Sequence, residues 1–273
     1  MAERKRAEIF PGVEITEDDT VVDVGCGLGD NCVFAGRLGA DVIGIEVNSG
    51  LIELMERKMR DVPARSFRAI LTGVDSETLP LPDASVDVVI CTEVVEHTRH
   101  PERFVAELAR IGRPGARYWI SVPDPASEGV MAVVSPPGYF QPPGHINVFE
   151  RDRFAGLIEG VGLEVDRRVG VGFYHSFWWI LRMACGTNHY PGAPTPPPPL
   201  IAKWESVWEE LMACPLGGRV AEGLDKVMPK SQVVIAHKPA AVRKPSGWIA
   251  DGSHAATGAP HKAPSDARAE AGI

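Results

Sequence analysis

The sequence predicts an open α/β sheet with helices on both faces, and three observations carry that prediction. Thr20 to Val24 is a short valine-rich run, the pattern of a central strand buried on both sides. It breaks at Gly25-x-Gly27-x-Gly29, so the strand opens into a turn whose backbone a ligand can approach closely. Further apolar runs then alternate with helix-period segments, as strands and crossover helices do in a doubly wound fold. Such sheets hold nucleotides outside the carboxyl ends of their strands at the topological switch point, which is where these glycines fall.

The elements follow in order. Residues 1 to 19 are acidic and basic by turns, with Ile9, Phe10, Val13 and Ile15 as the only apolar points, and read as an N-terminal segment able to fold over the ligand as a lid. After the strand Thr20 to Val24, a helix from about Asn31 to Leu38 stops at Gly39. A second strand runs from Asp41 to Val47, and a helix from Ser49 to about Met59 presents Leu51, Leu54, Met55 and Met59 on one face. The third strand, Ser66 to Leu71, leads into Gly73-Val-Asp75-Ser76. The fourth, Ser85 to Glu93, is introduced by a turn at Pro82-Asp83. An amphipathic helix from Pro101 to Ile111 is stopped by Gly112 to Gly115, and a fifth strand follows from Ala116 to Val122. Pro123 to Gly144 is dense in proline and glycine and has no period, which predicts a functional loop hanging over the acceptor side of the pocket. His145 to Phe149 and a helix over Glu150 to Glu159 lead to a sixth strand, Leu163 to Val171. An aromatic helix from Tyr174 to Ala184, a stiff proline-rich linker from Pro191 to Pro199 and a helix from Ile201 to Met212 precede the last strand, Gln232 to His237. Beyond Pro239 there is almost nothing to bury, so 240–273 is predicted to be disordered.

A net charge of −8 argues against a nucleic-acid partner, which needs clustered Lys and Arg to neutralise phosphates. The five cysteines form no CxxC pair, which predicts a reduced, cytoplasmic setting without a zinc site of the usual spacing. The first residues lack the apolar segment of a secretory signal. The most apolar stretch, Val169 to Cys185, is interrupted by His175 and Arg182 and is too short to span a bilayer, so no integral membrane association is expected.

The glycine loop also narrows the ligand. Dinucleotide folds use Gly-x-Gly-x-x-Gly and rest the pyrophosphate on the next helix, whereas here Asp30 stands at the helix start and would repel a diphosphate. A ligand with an adenosine, no phosphate and a positive charge fits better, and S-adenosylmethionine is one. Val21-Val22-Asp23-Val24-Gly25-Cys26-Gly27-Leu28-Gly29 resembles the first motif of the class I S-adenosylmethionine-dependent methyltransferases. The resemblance runs with its motifs in unbroken order from about Thr20 to Val122, and more weakly to residue 171. It implies a Rossmann-like, doubly wound, seven-stranded sheet with an antiparallel last strand. Residues 20–171 and 231–239 would then form the cofactor domain, with 172–230 a helical, aromatic insertion between strands six and seven. It implies S-adenosylmethionine as cofactor, held by Asp23, Gly25, Cys26, Gly27 and Gly29, with Thr92 and Glu93 at the end of the fourth strand. Glu46 matches the ribose-binding acid, its other reading being a surface carboxylate that caps the next helix. Val47 would offer an apolar face to the adenine, Asp75 would accept from the adenine amino group, and the Ser76 amide would read a ring nitrogen.

Methyl transfer from a sulfonium needs donor and acceptor aligned, water excluded and, for a hydroxyl acceptor, a proton removed. His97, in a Glu-His step that resembles the family's, and His145, in Gly-His-Ile-Asn, are the candidate bases; each has a structural role as its alternative. Glu93, Glu96, His97 and His100 are a conceivable metal set, but acids at a helix start favour the helix dipole, and no metal site is expected from them. The expected reaction is methylation of a small molecule, a hydroxyl of a sugar or secondary metabolite, with N- or C-methylation, a dinucleotide-dependent oxidoreductase and a non-catalytic binding protein as alternatives. Phe173, Tyr174, Phe177, Trp178 and Trp179 cover more than one helical face, so the insertion is expected to supply the acceptor pocket or a homodimer contact.

Overall fold

The computed structural model describes residues 6–73, 78–186 and 198–240. Runs of valine and isoleucine form β3 (Thr20–Val24), β4 (Asp41–Glu46) and β6 (Val86–Thr92), and these strands are covered on both faces. With β5 (Ser66–Leu71), β7 (Gly112–Pro123), β8 (Glu164–Val171) and β9 (Ser231–His237) they make a seven-stranded sheet in the order β5-β4-β3-β6-β7-β9-β8. The strands from β5 through β7 pair in parallel, and β9 inserts antiparallel between β7 and β8. The chain winds outward from β3 to β5 and returns to β6 on the other side of β3. That reversal puts the switch point, and the crevice beyond it, between the carboxyl ends of β3 and β6.

Side chains alternate between two cores, as the period of a strand requires. Val21, Val42, Val88 and Ile90 face one layer with Met55 and Met59 of α2 (Ser49–Met59) and Cys32 and Ala35 of α1 (Asp30–Arg37). Val22, Ile43, Val89 and Cys91 face the other with Val105, Leu108 and Ile111 of α3 (Pro101–Ile111) and Phe154 and Ile158 of α5 (Arg151–Glu159). Burial of each such side chain contributes about 1.5 to 3 kcal/mol, so this double layer makes a rigid platform for the strand ends.

Three segments differ from the sequence expectation. Residues 6–16 form a hairpin, β1 (Arg6–Phe10) and β2 (Val13–Thr16), built into the first core and not a lid. Val13 and Ile15 are fully buried, and Phe10 stacks on Trp119 at 5.1 Å; the four apolar points cover sheet that α1 and α2 leave bare. Residues 123–144 are not a plain loop. They contain α4 (Pro125–Val134) and a 3₁₀ turn over Pro137–Phe140. Asp124 caps α4 by accepting from the Ala126 amide at 3.0 Å, with Pro125 at the first helical position. β7 starts four residues before the expected Ala116: Gly112 is both the C-cap of α3 and the first residue of β7, and a Cβ on it would lie 1.9 Å from the Tyr118 hydroxyl.

The insertion holds α6 (Phe173–Ala184), α7 (Pro199–Ala213) and α8 (Gly217–Val227), the last not anticipated. Asp225 of α8 accepts from the Phe173 amide at 2.7 Å and so satisfies the start of α6. Most of the linker Pro191–Pro199 and the tail beyond residue 240 lie outside the described residues.

Candidate active site

The three glycines of the loop serve three different ends. A Cβ on Gly25 would lie 2.2 Å from Val94 Cγ2, and one on Gly29 would lie 2.5 Å from Met55 Cγ. Gly27 meets nothing within 4 Å, so its missing side chain leaves space on the open side of the loop. All three have positive φ, which glycine adopts without penalty. The Gly25 and Cys26 amides donate to the Ile45 carbonyl at 2.8 and 3.0 Å, tying the loop to the end of β4.

Glu46 ends β4 and completes that tie. Its Oε2 accepts from the Gly27 amide at 2.9 Å, and its Oε1 from the amides of Val47 and Asn48 at 2.8 and 3.1 Å. The carboxylate therefore fixes the loop and the start of α2 together, while Asn48, not Glu46, caps α2. Val47 beside it is 46% exposed, an apolar side chain open at the strand ends. Asp23 lies beneath the loop, buried against Asn31 and Cys32, and burial pushes its carboxyl up to about 7. Asp30 makes no cap hydrogen bond; it pairs with Lys58 at 2.8 Å. Asp75 and Ser76 lie outside the described residues.

Across the switch point, Thr92 ends β6 and Glu93 follows with φ of 57°, a left-handed conformation uncommon outside glycine. Its carboxylate accepts from the Ser121 hydroxyl at 3.0 Å and pairs with Lys230, so the turn is braced from β7 and from the start of β9. Val94 then packs on Gly25, and Val95–His97 form a single 3₁₀ turn. Glu96 is fully buried there, and among the described residues neither of its oxygens has a hydrogen-bond partner. The His97 Nε2 atom stands 3.7 Å from Glu96 Oε1, too far for a hydrogen bond. Burial, and then Glu93, push the Glu96 carboxyl well above the usual carboxylate range.

His145 is brought to this turn by the chain that follows α4. Asn147 donates from its amide to the Glu96 carbonyl at 3.0 Å and from its side chain to the Thr98 carbonyl at 2.7 Å, strapping the two segments together. The rings of His97 and His145 meet edge to face at 5.0 Å. His97 Nδ1 lies 3.0 and 2.9 Å from the carbonyls of Pro143 and Gly144, which only accept, so Nδ1 carries the proton and Nε2 is bare. His145 Nδ1 lies 3.0 Å from Glu128 Oε2, and Glu128 Oε1 accepts from the Tyr139 hydroxyl at 3.1 Å. The same rule puts a proton on His145 Nδ1. Burial holds the imidazolium of His97 below its ordinary range, which favours the neutral ring.

Glu128 and Tyr139 of this cluster were not candidates in the sequence. Both lie in the stretch read as loop, and the one local signal that could have found Glu128 was the Asp124-Pro125 helix start, which puts it on the first turn of α4. His100 caps α3 through its backbone and does not join the cluster. His175 lies at the start of α6.

An open α/β sheet with a glycine loop and an acid at the next strand end defines a domain that takes an adenosine-bearing ligand at its switch point. Residues 22–120 match the methyltransferase domain family. A probable S-adenosylmethionine-dependent methyltransferase of Mycolicibacterium smegmatis is 31% identical over 153 residues, 55% of this chain and 54% of that one. A ubiquinone biosynthesis O-methyltransferase of Cupriavidus pinatubonensis is 33% identical over 102 residues, 37% of this chain and 40% of that one. Among solved structures, the [4+2]-cyclase SpnF shares the fold with a TM-score of 0.54 and 17% identity, over 81% of this chain and 76% of that one. The chain spans about half or less of the length of these curated relatives. Residues 22–120 are thus a methyltransferase domain, similar to that of S-adenosylmethionine-dependent enzymes. Among the described residues no helix is long and apolar enough to cross a membrane.

Proposed function

We propose that this protein transfers a methyl group from S-adenosylmethionine to a hydroxyl of a small molecule, a sugar or another secondary metabolite. The observation that carries the reading is the His97–His145 pair, each ring held through Nδ1, with His97 one turn beyond the Val94 that touches the glycine loop. In this reading Glu46 accepts from the ribose hydroxyls, Gly27 gives the cofactor its room and Val47 meets the adenine. An acceptor oxygen forms the new bond to the methyl carbon as the carbon–sulfur bond breaks, and the electron pair stays on sulfur to give S-adenosylhomocysteine. The acceptor proton leaves at the His97–His145 end of the cleft. The reaction starts from an activated donor, so alignment and exclusion of water supply most of the rate. The name of the Cupriavidus relative, an O-methyltransferase, supports an oxygen acceptor.

Two further parts belong to the proposal. The insertion bears exposed apolar side chains on α7 and α8, including Val207, Val220 and Val227, which support a homodimer contact or a wall of the acceptor pocket. The absence of CxxC pairs supports a cytoplasmic setting. Incubation with methyl-labelled S-adenosylmethionine and panels of hydroxyl, amine and activated-carbon acceptors tests the reaction. Label on oxygen with stoichiometric S-adenosylhomocysteine is expected. Label on nitrogen or carbon alone, or none with any panel, would overturn the hydroxyl reading.

A further inference from the structure

Among the described residues, Glu96 is a buried carboxylate whose placement is costly as it stands. Its side chain is fully buried, and among the described residues no other residue gives either oxygen a hydrogen bond, while Glu93 and Glu128 add negative charge around it and Lys230 is committed to Glu93. Unpaired buried carboxylates are expensive, and proteins place them where a proton, a cation or a metal completes the site. The carboxylate is not alone. One ligand atom each from Glu96, His97 and His145 lies within 4.8 Å of the other two.

We propose that Glu96, His97 and His145 hold a divalent cation of the zinc class, through one carboxylate oxygen and two imidazole Nε2 atoms. Two neutral imidazoles and one carboxylate are a donor set that zinc and its first-row neighbours take, whereas magnesium and calcium favour oxygen alone. Zinc held at 2.0 to 2.1 Å in a tetrahedron sets its ligands about 3.3 Å apart, so these three close in by less than about 1 Å each. The surrounding contacts are those that metal-bound histidines use. The Nδ1–H of His97 is held by the Pro143 and Gly144 carbonyls, and that of His145 by the Glu128 carboxylate, which fixes both tautomers with Nε2 inward. The Tyr139 hydroxyl in turn orients Glu128. This set differs from the sequence candidates Glu93, Glu96, His97 and His100, because Glu93 turns to Lys230 and Ser121, and His145 arrives from beyond α4.

Three protein ligands leave a fourth position open, and an acceptor hydroxyl bound there would lose its proton more readily. That consequence rests on the methyl-transfer reading; the cation site does not. The test therefore reads binding and not turnover. The full chain, stripped with a chelator, is titrated with Zn²⁺ by calorimetry and with Co²⁺ by visible absorption, with S-adenosylhomocysteine affinity as the check that each variant is folded. One equivalent of either ion is expected, with a Co²⁺ spectrum of four-coordinate type. Glu96→Gln, which keeps the shape of the side chain, and His145→Ala should each weaken binding by roughly 100-fold or more. Glu128→Gln, one shell out, should cost about 10- to 100-fold. A folded wild type that takes up neither ion overturns the proposal, and so does binding of wild-type strength in Glu96→Gln and His145→Ala, which would put the ion elsewhere. Cation binding without any methyl transfer would leave the site standing and remove the reaction.

Discussion

Glu46 Oε2 accepts from the Gly27 amide at 2.9 Å, so the acid at the end of β4 and the open glycine of the β3 loop are one unit. The residue expected to meet the ribose thus also holds the backbone against which the cofactor lies. Its second oxygen is occupied by the amides that open α2, so in the proposed reading a ribose shares this carboxylate with three backbone donors.

Glu46→Ala should therefore weaken S-adenosylhomocysteine binding by at least the 1.5 to 3 kcal/mol typical of a charge-assisted hydrogen bond, or about 10- to 150-fold. Loosening of the loop adds to this. Gly27→Val should abolish binding, since it fills the space beside the loop and forces a valine to a φ of 52°. Calorimetry that returns wild-type affinity for both folded variants would remove the pocket assignment.

His145→Ala should lower turnover by roughly 10² to 10⁴ and leave S-adenosylhomocysteine affinity nearly unchanged, because the ring packs on His97 and Tyr139 and not on the glycine loop. Single-turnover kinetics on the first acceptor identified makes the comparison. An equal loss in cofactor affinity would show instead that His145 only supports the loop.

Asp23 should make stability depend on pH in an unusual direction. Its carboxyl is raised to about 7 in the folded chain, chiefly by burial, from an unfolded value near 3.8. Between those values the folded protein holds a proton that the unfolded chain has released, so stability falls as pH rises through the window and the loss is complete above it. The full effect is on the order of 4 kcal/mol. Asp23→Asn should remove that slope and be the more stable protein at pH 8. Urea midpoints at pH 5 and pH 8 for the two proteins check it; a slope shared by both would show that other groups set it.

The legible parts of this molecule were those whose signal is local. β3, α2, β5 and α3 have the bounds that valine runs, helix period and glycine or proline stops give them, because a strand buried on both faces and an amphipathic helix each write their environment into consecutive residues. The N-terminal hairpin was illegible for the opposite reason: its four apolar residues are explained only by bare sheet around Trp119 and Ile235. α4 was hidden by its flanking prolines, although Asp124-Pro125 is a start signal. At the site, the glycines and Glu46 follow from motif spacing, whereas the partnership of His145 with Glu128 and the isolation of Glu96 are tertiary facts. Nothing near Glu96 in the chain shows that its carboxylate will be roofed over and left unpaired.

The insertion offers the last prediction. Trp204 of α7 packs against Phe177 at 4.8 Å, Trp208 at 5.5 Å and Tyr174 at 6.0 Å, and its indole N–H donates to the Tyr174 carbonyl at 3.2 Å. Five rings, with Phe173, thus face one another across α6 and α7, so much of the aromatic content expected to meet a partner is spent on joining these helices. Trp178 and Trp179 pack with Arg182, and the Trp178 indole N–H donates to Glu205 of α7 at 3.1 Å. Trp204 is half-buried, so Trp204→Ala should cost less than the roughly 3 to 5 kcal/mol of a fully buried Trp, and loosen α7 from α6. Because the sheet and glycine loop are built without α7, S-adenosylhomocysteine affinity should stay within about twofold. Hydrogen exchange should show loss of protection confined to α6, α7 and α8. Exchange that spreads into β3 and β4, or loss of cofactor binding, would mean that the insertion is part of the sheet's own stability and not a separable layer.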